Sequence, residues 1–399
     1  MTVIWGILGL GVLVFWHELG HYVAARLCGV KVVAFSLGMG PVIFHRTVTR
    51  GDNSTDWRLS LIPFGGYCAM KGEDDFAAAL ESGQKEIPGG PDSFYGTHPL
   101  RRVIIAFAGP LFNLILAFIA LMVIGLSGYT YLSAGTSVIM ADEIYEGMES
   151  PAHNAGMRTG DKILAMDGRP ALDFSDIAEY VSSRPGKDIV FTVERADAEY
   201  TGSEGIIHGA DSSPSSEAQD PAKILYITVR PALDKETATG KIGIVSSSDS
   251  VEERVVPGKG IFGSARYAAE RIAQFVTLTF RSIGILFKGV RITSAVSGPA
   301  RIATMLGEAV SMGFSGGIKN GIVSTLDFLS LISLALFISN LLPIPVLDGG
   351  QIIFSLAEAV SRRRLSPKFL YRIKIAGLII VGSLAVLAIS GDLLYFIKR

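Results

Sequence analysis

Four stretches of this chain are apolar over roughly the thickness of a bilayer, and nothing else in the sequence limits its fold as much. A membrane-crossing helix needs about 20 predominantly apolar residues. The runs from Val3 to Leu27, Val103 to Leu126, Thr325 to Leu342 and Ile373 to Ile389 approach or meet that length. Backbone groups in hydrocarbon must find hydrogen bonds within their own segment, so each run is expected to be helical. The second run is free of charge, and the fourth carries only Lys374 at its edge. The first is interrupted by His17, Glu18 and His21, and the third is followed closely by Asp348. A secretory leader is the alternative for the first run. It lacks a basic start, and His-Glu stands where a small-residue cleavage site belongs.

Composition agrees with a membrane protein that also has a sizeable soluble part. Apolar residues make up 49% of the 399 positions and charged residues only 18%, with a mean hydropathy of +0.41. Soluble domains carry about 25% charge, so a soluble cytosolic enzyme and a disordered chain are both excluded. Basic and acidic residues balance at 36 and 37, which provides no field to attract nucleic acid. Sidedness follows from Arg362, Arg363, Arg364, Lys368, Arg372 and Lys374, set against Asp348 and Glu358. Short basic loops stay in the cytoplasm. Alternation then places residues 28–100 inside, residues 127–322 outside, and both termini outside. Cys28 and Cys68 fall on the reducing side and are expected to be free thiols.

Within the external segment, Lys162–Met166 and Ile189–Glu194 alternate like short strands, Asp167-Gly168 signals a turn, and Asp173–Ser182 has a helical pattern. The run from Ser150 to Gly168, with Ala155-Gly156 and Gly160-Asp161-Lys162-Ile163, resembles a PDZ domain. That places an α+β PDZ unit at 136–232, with a peptide groove near Ser137–Glu143. The plainer alternative is an arbitrary small α+β domain. Residues 201–222 read as a mobile polar insertion, and Gly240–Val245 as one more strand. Between Phe262 and Leu286 an amphipathic helix is expected, lying on the membrane or packed against the bundle.

The chemistry concentrates in His17-Glu18-Leu19-Gly20-His21. Residues four apart share one helix face. Two imidazoles placed that way can hold one zinc, with the Glu in reach of a water. Their position inside an apolar run strengthens the reading, because polar groups there are costly unless they meet a partner or a cavity. Three polar residues bonded to one another within a bundle are the alternative. A catalytic zinc takes a third protein ligand. His45, His98, His153 and His208 all fall in aqueous regions, which leaves Asp348 as the better candidate. Pro343 and Pro345 break the third run just before it, and freed backbone at that depth belongs where it lines a cavity or is buried in protein. A boundary-loop residue is the alternative for Asp348. Gly109-Pro110 predicts close packing of the second run on the first, and Asn113 either orients a ligand or bonds between helices.

Taken together, His17-Glu18-x-x-His21 and Asn340-x-x-Pro343-x-Pro345-x-Leu347-Asp348-Gly349 resemble the site-2 protease family of intramembrane zinc metalloproteases, most nearly its bacterial RseP-type members. Phe35–Pro41, Ile62–Tyr67, Ala108–Asn113 and Ser297-Gly298-Pro299 extend the resemblance over most of the chain. One departure is that this chain has room and motif for one PDZ domain where the RseP pattern has two. The resemblance implies zinc on His17, His21 and Asp348, with Glu18 as general base. It also implies a membrane-associated β-loop around Gly65 and Gly66 that receives substrate as an added strand, and substrate contacts from Asn340, Pro343 and Pro345. The fold expected is an α-helical membrane protein with about four transmembrane helices, a cytoplasmic-side β-hairpin and an inserted periplasmic α+β PDZ domain. Its segments run 1–27, 28–100, 101–127, 136–232, 236–322, 323–350 with the Leu-Asp-Gly motif, 351–372 as a basic loop, and 373–392.

The resemblance further implies a bacterial inner-membrane enzyme that cuts the spans of single-span proteins, such as an anti-sigma factor or remnant signal peptides. Its partners would be that transmembrane substrate and membrane lipid, not nucleic acid. The PDZ domain would bind a peptide end or exclude large periplasmic domains. Two other classes compete: a catalytically silent scaffold built around the PDZ domain, and a transporter lined by His17, Glu18, His21 and Asp348. The transporter lacks the paired broken helices of inverted repeats.

Overall fold

The computed structural model describes residues 2–51, 53–145, 147–195, 223–234, 239–247, 251–286 and 298–398. The 201–222 insertion, His208 and Ser297 lie outside the described residues. The chain forms two compact units, one drawn from residues 1–129, 256–283 and 292–399, the other from 130–255 with 284–291. The first unit begins with α1 (Thr2–Leu27), β1 (Val32–Arg50), β2 (Asn53–Met70), α2 (Glu73–Glu81) and α3 (Pro99–Ser127). Inserted next are β3 (Tyr129–Ala134), β4 (Val138–Met140), α4 (Ala141–Ile144), α5 (Pro151–Asn154), β5 (Lys162–Met166) and β6 (Arg169–Pro170). The insertion continues with α6 (Phe174–Ser182), β7 (Ile189–Arg195), β8 (Lys223–Val229), β9 (Ala232–Leu233), β10 (Gly240–Lys241), β11 (Ile244–Ser246) and β12 (Val251–Val256). The chain returns through α7 (Ile261–Leu286), α8 (Pro299–Ser315), α9 (Ile318–Asn340), α10 (Asp348–Ser361) and α11 (Pro367–Lys398).

Among the described residues, three helices are long and apolar enough to cross a membrane: α3, α9, and α11 over Pro367–Leu393. Close backbone approach organises the first unit. A Cβ on Gly20 of α1 would overlap the Ala108 carbonyl of α3, so only glycine permits this crossing. Trp16 Nε1 donates to Phe112 O at 2.7 Å beside it, and Ser333 Oγ of α9 donates to Asn113 O at 2.8 Å. The amphipathic α7 packs against the bundle, with Ala268 set among Leu121, Ile124 and Val323. Helix α8 was not expected from the sequence. Asp392 of α11 caps its start, accepting from the backbone N–H groups of Gly298, Ala300 and Arg301 at 2.9, 3.0 and 3.2 Å and so satisfying donors that a helix N-terminus leaves open.

Three further elements differ from expectation. The β-hairpin expected around Gly65 and Gly66 is part of a longer sheet, because β1 and β2 bend at Gly38, Gly40 and Gly65, all at positive φ. Ala34 to Leu37 lie opposite Ala69 to Gly66 on one side and Asp56 to Leu59 on the other, which leaves Gly66–Met70 at a sheet edge. The third apolar run and the Leu-Asp-Gly motif are not one helix. Helix α9 stops at Asn340 and α10 starts at Asp348, since Pro343 and Pro345 lack the N–H that would continue the ladder. The basic segment 351–372 is mostly helix, with a turn only after Ser361, where Arg362 takes φ 54°. The buried face of α10 is Gly349, Gly350, Ser355 and Glu358, and a polar buried face leaves no apolar period to read.

The second unit is built on a four-stranded antiparallel sheet in the order β6-β5-β7-β8. Asp167 and Gly168, at φ 47° and 76°, make the two-residue turn that joins β5 to β6. Asp173 caps α6, accepting from Asp176 N at 2.9 Å, and Ile177 and Val181 turn inward to Met140, Ile163 and Phe191. Asp161, 1% exposed, takes two bonds of 2.7 Å from the Arg195 guanidinium. This unit extends beyond residue 232, because β11 pairs with β4 and Ile242 joins the core. That pairing covers the strand where a groove was expected. A cavity of about 570 Å³ lies instead between α6 and residues 240–245.

Arg102 of α3 and Glu358 of α10 form a buried ion pair, and Glu358 Oε1 also accepts from Leu365 N at 2.8 Å. Glu358→Leu leaves the guanidinium buried without its partner and should cost about 3–5 kcal/mol. Adding Arg102→Met should restore most of that loss in thermal unfolding of the detergent-solubilised protein. An unchanged midpoint in the single variant would show that the pair does not hold α10 to α3.

Candidate active site

His17 and His21 lie one turn apart on α1, and Asp348 is the first residue of α10. Their imidazole and carboxylate atoms all lie within 4.8 Å of one another. His17 Nε2 is 3.2 Å from His21 Nε2 and 3.2 Å from Asp348 Oδ2. His21 Nε2 is 3.4 Å from Asp348 Oδ1. Ligand atoms bound tetrahedrally at the usual zinc distances stand about 3.3 Å apart, so the three donors match the edges of one zinc coordination shell. The outer nitrogen of His21 fits as well. Its Nδ1 is 2.8 Å from the Ile105 carbonyl, which can only accept, so Nδ1 carries the proton and Nε2 keeps its lone pair.

Helix α3 provides the floor for both rings. A Cβ on Gly109 would overlap His21 Nε2 and come within 2.9 Å of His17 Cε1, so glycine here makes room for the imidazoles. One turn further on, the Asn113 amide is 3.0 Å from His17 Nδ1. Opposite α3, the sheet edge approaches Glu18. A Cβ on Gly66 would lie 3.2 Å from Glu18 Cγ, and the backbone N–H of Cys68 bonds to the Glu18 carboxylate.

A cavity of about 500 Å³ opens over these groups. His17, Glu18, His21 and Asp348 line it, as do Gly66 and Asn340. Gly65, Pro343 and Pro345 are not among its lining residues. Gly65 turns the strand against Met39, and Pro345 packs on Gly377 of α11, so these residues shape the backbone around the cavity. Tyr67, Phe76, Tyr95, Gln351 and Lys374 also line it, and none of them was expected as a site residue. Gln351 could have been found, since it follows Asp348 by one helical turn. Lys374 and Tyr95 meet only through the tertiary fold, Nζ to hydroxyl at 3.3 Å. The loop bearing Phe94 and Tyr95 is tied down by Asp92, whose carboxyl is held below its ordinary range by bonds from the Lys71 and Lys31 ammoniums. The remaining described histidines lie elsewhere: His45 pairs with Asp56, His153 with Asp142, and His98 caps α3.

Residues 5–384 match peptidase family M50. The chain belongs to that family and is an enzyme acting on peptide bonds. It is 34% identical to a Treponema pallidum protein named as a zinc metalloprotease, over 98% of both chains. A Rhizobium meliloti protein of the same description is 32% identical across 90% of this chain and 87% of its own. One from Campylobacter jejuni is 31% identical across 97% and 92%.

Gly109→Ala should displace the imidazoles and lower the metal content of the purified protein well below that of wild type. Gly382→Ala, at a position where a Cβ meets nothing within 4 Å, should leave it unchanged. Equal metal content in the two variants would show that the space at Gly109 is not needed.

Proposed function

We propose that this member of peptidase family M50 is a zinc-dependent intramembrane endopeptidase of the site-2 protease type, nearest the RseP pattern but with one PDZ domain. The observation that carries the proposal is the convergence of His17 Nε2, His21 Nε2 and the Asp348 carboxylate at 3.2–3.4 Å. They meet beside Glu18, where the otherwise apolar α1 faces the start of α10. These three residues hold the zinc, and Glu18 is the general base. When bound, zinc polarises the scissile carbonyl and lowers the pKa of water. Glu18 takes the proton from the attacking water and passes it to the leaving amine. The Cys68 N–H fixes the carboxylate for that task.

Substrate must reach this site unwound, because a membrane helix hides its carbonyls in its own hydrogen bonds. The Gly66–Met70 edge offers replacement partners. Among the described residues it pairs with β1 on one side, and an extended substrate segment adds to the other. Asn340 contributes from across the cavity. The substrate class is the membrane span of single-span proteins, with anti-sigma factors and remnant signal peptides as the expected members.

The proposed setting is the bacterial inner membrane, with α1, α3, α9 and α11 as four spans. The basic 362–374 segment faces the cytoplasm, and both termini and the inserted unit are periplasmic. Exposed Leu378, Ile379, Val386 and Ile389 on α11 suit a lipid-facing helix. The inserted unit is the PDZ domain. Its groove between α6 and residues 240–245 either takes a peptide end or forms part of a filter against large periplasmic domains.

Glu18→Gln should leave a tagged transmembrane reporter uncut while keeping about one zinc per chain, and His21→Ala should lose the zinc as well. Cleavage by Glu18→Gln at the wild-type rate would overturn the general-base assignment. A wild-type protein free of zinc would overturn the metalloprotease reading altogether.

A further inference from the structure

Asn113 is fully buried at 0% exposure, and the reaction proposed above gives it no task. Its position on α3 is specific. Ile105, Gly109 and Asn113 follow one another at four-residue spacing and so share one face of the helix. The Ile105 carbonyl meets His21 Nδ1, Gly109 clears space for both rings, and the Asn113 amide meets His17 Nδ1 at 3.0 Å. Ser333 Oγ, donating to the Asn113 backbone carbonyl at 2.8 Å, holds this turn of α3 against α9.

As placed, Asn113 Nδ2 faces His17 Nδ1, and Oδ1 is buried with no hydrogen-bond partner among the described residues. An amide nitrogen can only donate. Facing it, Nδ1 would have to keep the lone pair, which puts the ring proton on Nε2, the atom that points at His21 and Asp348. That tautomer cannot bind a metal through Nε2. The two ends of a carboxamide are nearly alike in shape, so turning it by 180° exchanges them and moves no other atom. Oδ1 then accepts from Nδ1–H and Nε2 is free, the same arrangement the Ile105 carbonyl imposes on His21.

We infer that Asn113 is a positioning residue: its side-chain carbonyl fixes His17 as the Nδ1–H tautomer, so that one face of α3 sets the protonation of both imidazole ligands. This rests on the zinc reading of the site proposed above. Orienting acceptors of this kind are worth about 10–100-fold in metal affinity.

The test is zinc affinity of the full-length, detergent-solubilised chain, measured by competition with a chromophoric chelator. Asn113→Leu keeps the bulk and removes the acceptor, and should weaken zinc binding by about 10–100-fold. Asn113→Asp keeps an acceptor in the same place and should stay within a few-fold of wild type. Should the leucine variant not fold, Asn113→Ala replaces it in the comparison. A residue that merely fills space or joins helices would lose as much with Asp as with Leu, and that result overturns the inference. So does wild-type affinity in the variant lacking the acceptor. Either outcome leaves the metalloprotease reading in place, whereas a wild-type chain that binds no zinc removes both.

Discussion

The arrangement depends on two largely buried imidazoles set one turn apart on an apolar helix. Each ring has two nitrogens. Turning one inward to a shared point obliges the protein to find a partner for the other. Helix α3 meets that demand, and much of the first unit follows from bringing it close enough. Gly20 lets the backbones touch at Ala108, Gly109 removes the side chain that would stand where the rings lie, and Ser333 ties the same turn to α9. Asp348 is placed by different means: the prolines end α9, and the Arg102–Glu358 pair holds α10 on α3.

Much of this was legible in the sequence, for reasons that can be named. Long apolar runs show themselves by length alone, so three of the four appear as helices that meet the requirements of a membrane span. The four-residue spacing of His17 and His21 is a local property of α1. Asp348 could be singled out because a carboxylate beside two prolines has few ordinary reasons to follow an apolar run. What stayed hidden is what only distance in the fold supplies. Helix α10 buries Ser355 and Glu358 rather than leucines, so its buried face has the wrong polarity for pattern reading. The β1–β2 sheet hid its order because glycine bends at 38, 40 and 65 return the chain on itself within a single strand. The strand expected to be open in the second unit is covered because β11, only three residues long, pairs with it.

Interrupted backbone recurs wherever chemistry is proposed. At Gly66–Met70 the interruption is a sheet edge, and at 341–347 it is a helix stopped by proline. Both leave main-chain groups whose partners lie outside the element, which a bilayer tolerates only beside a cavity or within protein. The cavity lies between these two interruptions, with Gly66 on one wall and Asn340 on another.

The three converging donors are far apart in the sequence. His17 and His21 emerge before the inserted unit, whereas Asp348 arrives only after that unit and α9 have been made. During that interval the nascent protein carries two of the three donors and no floor for the missing one. The three donors therefore cannot meet until α10 has begun to form, so the long insertion between them also sets the order in which the site comes together.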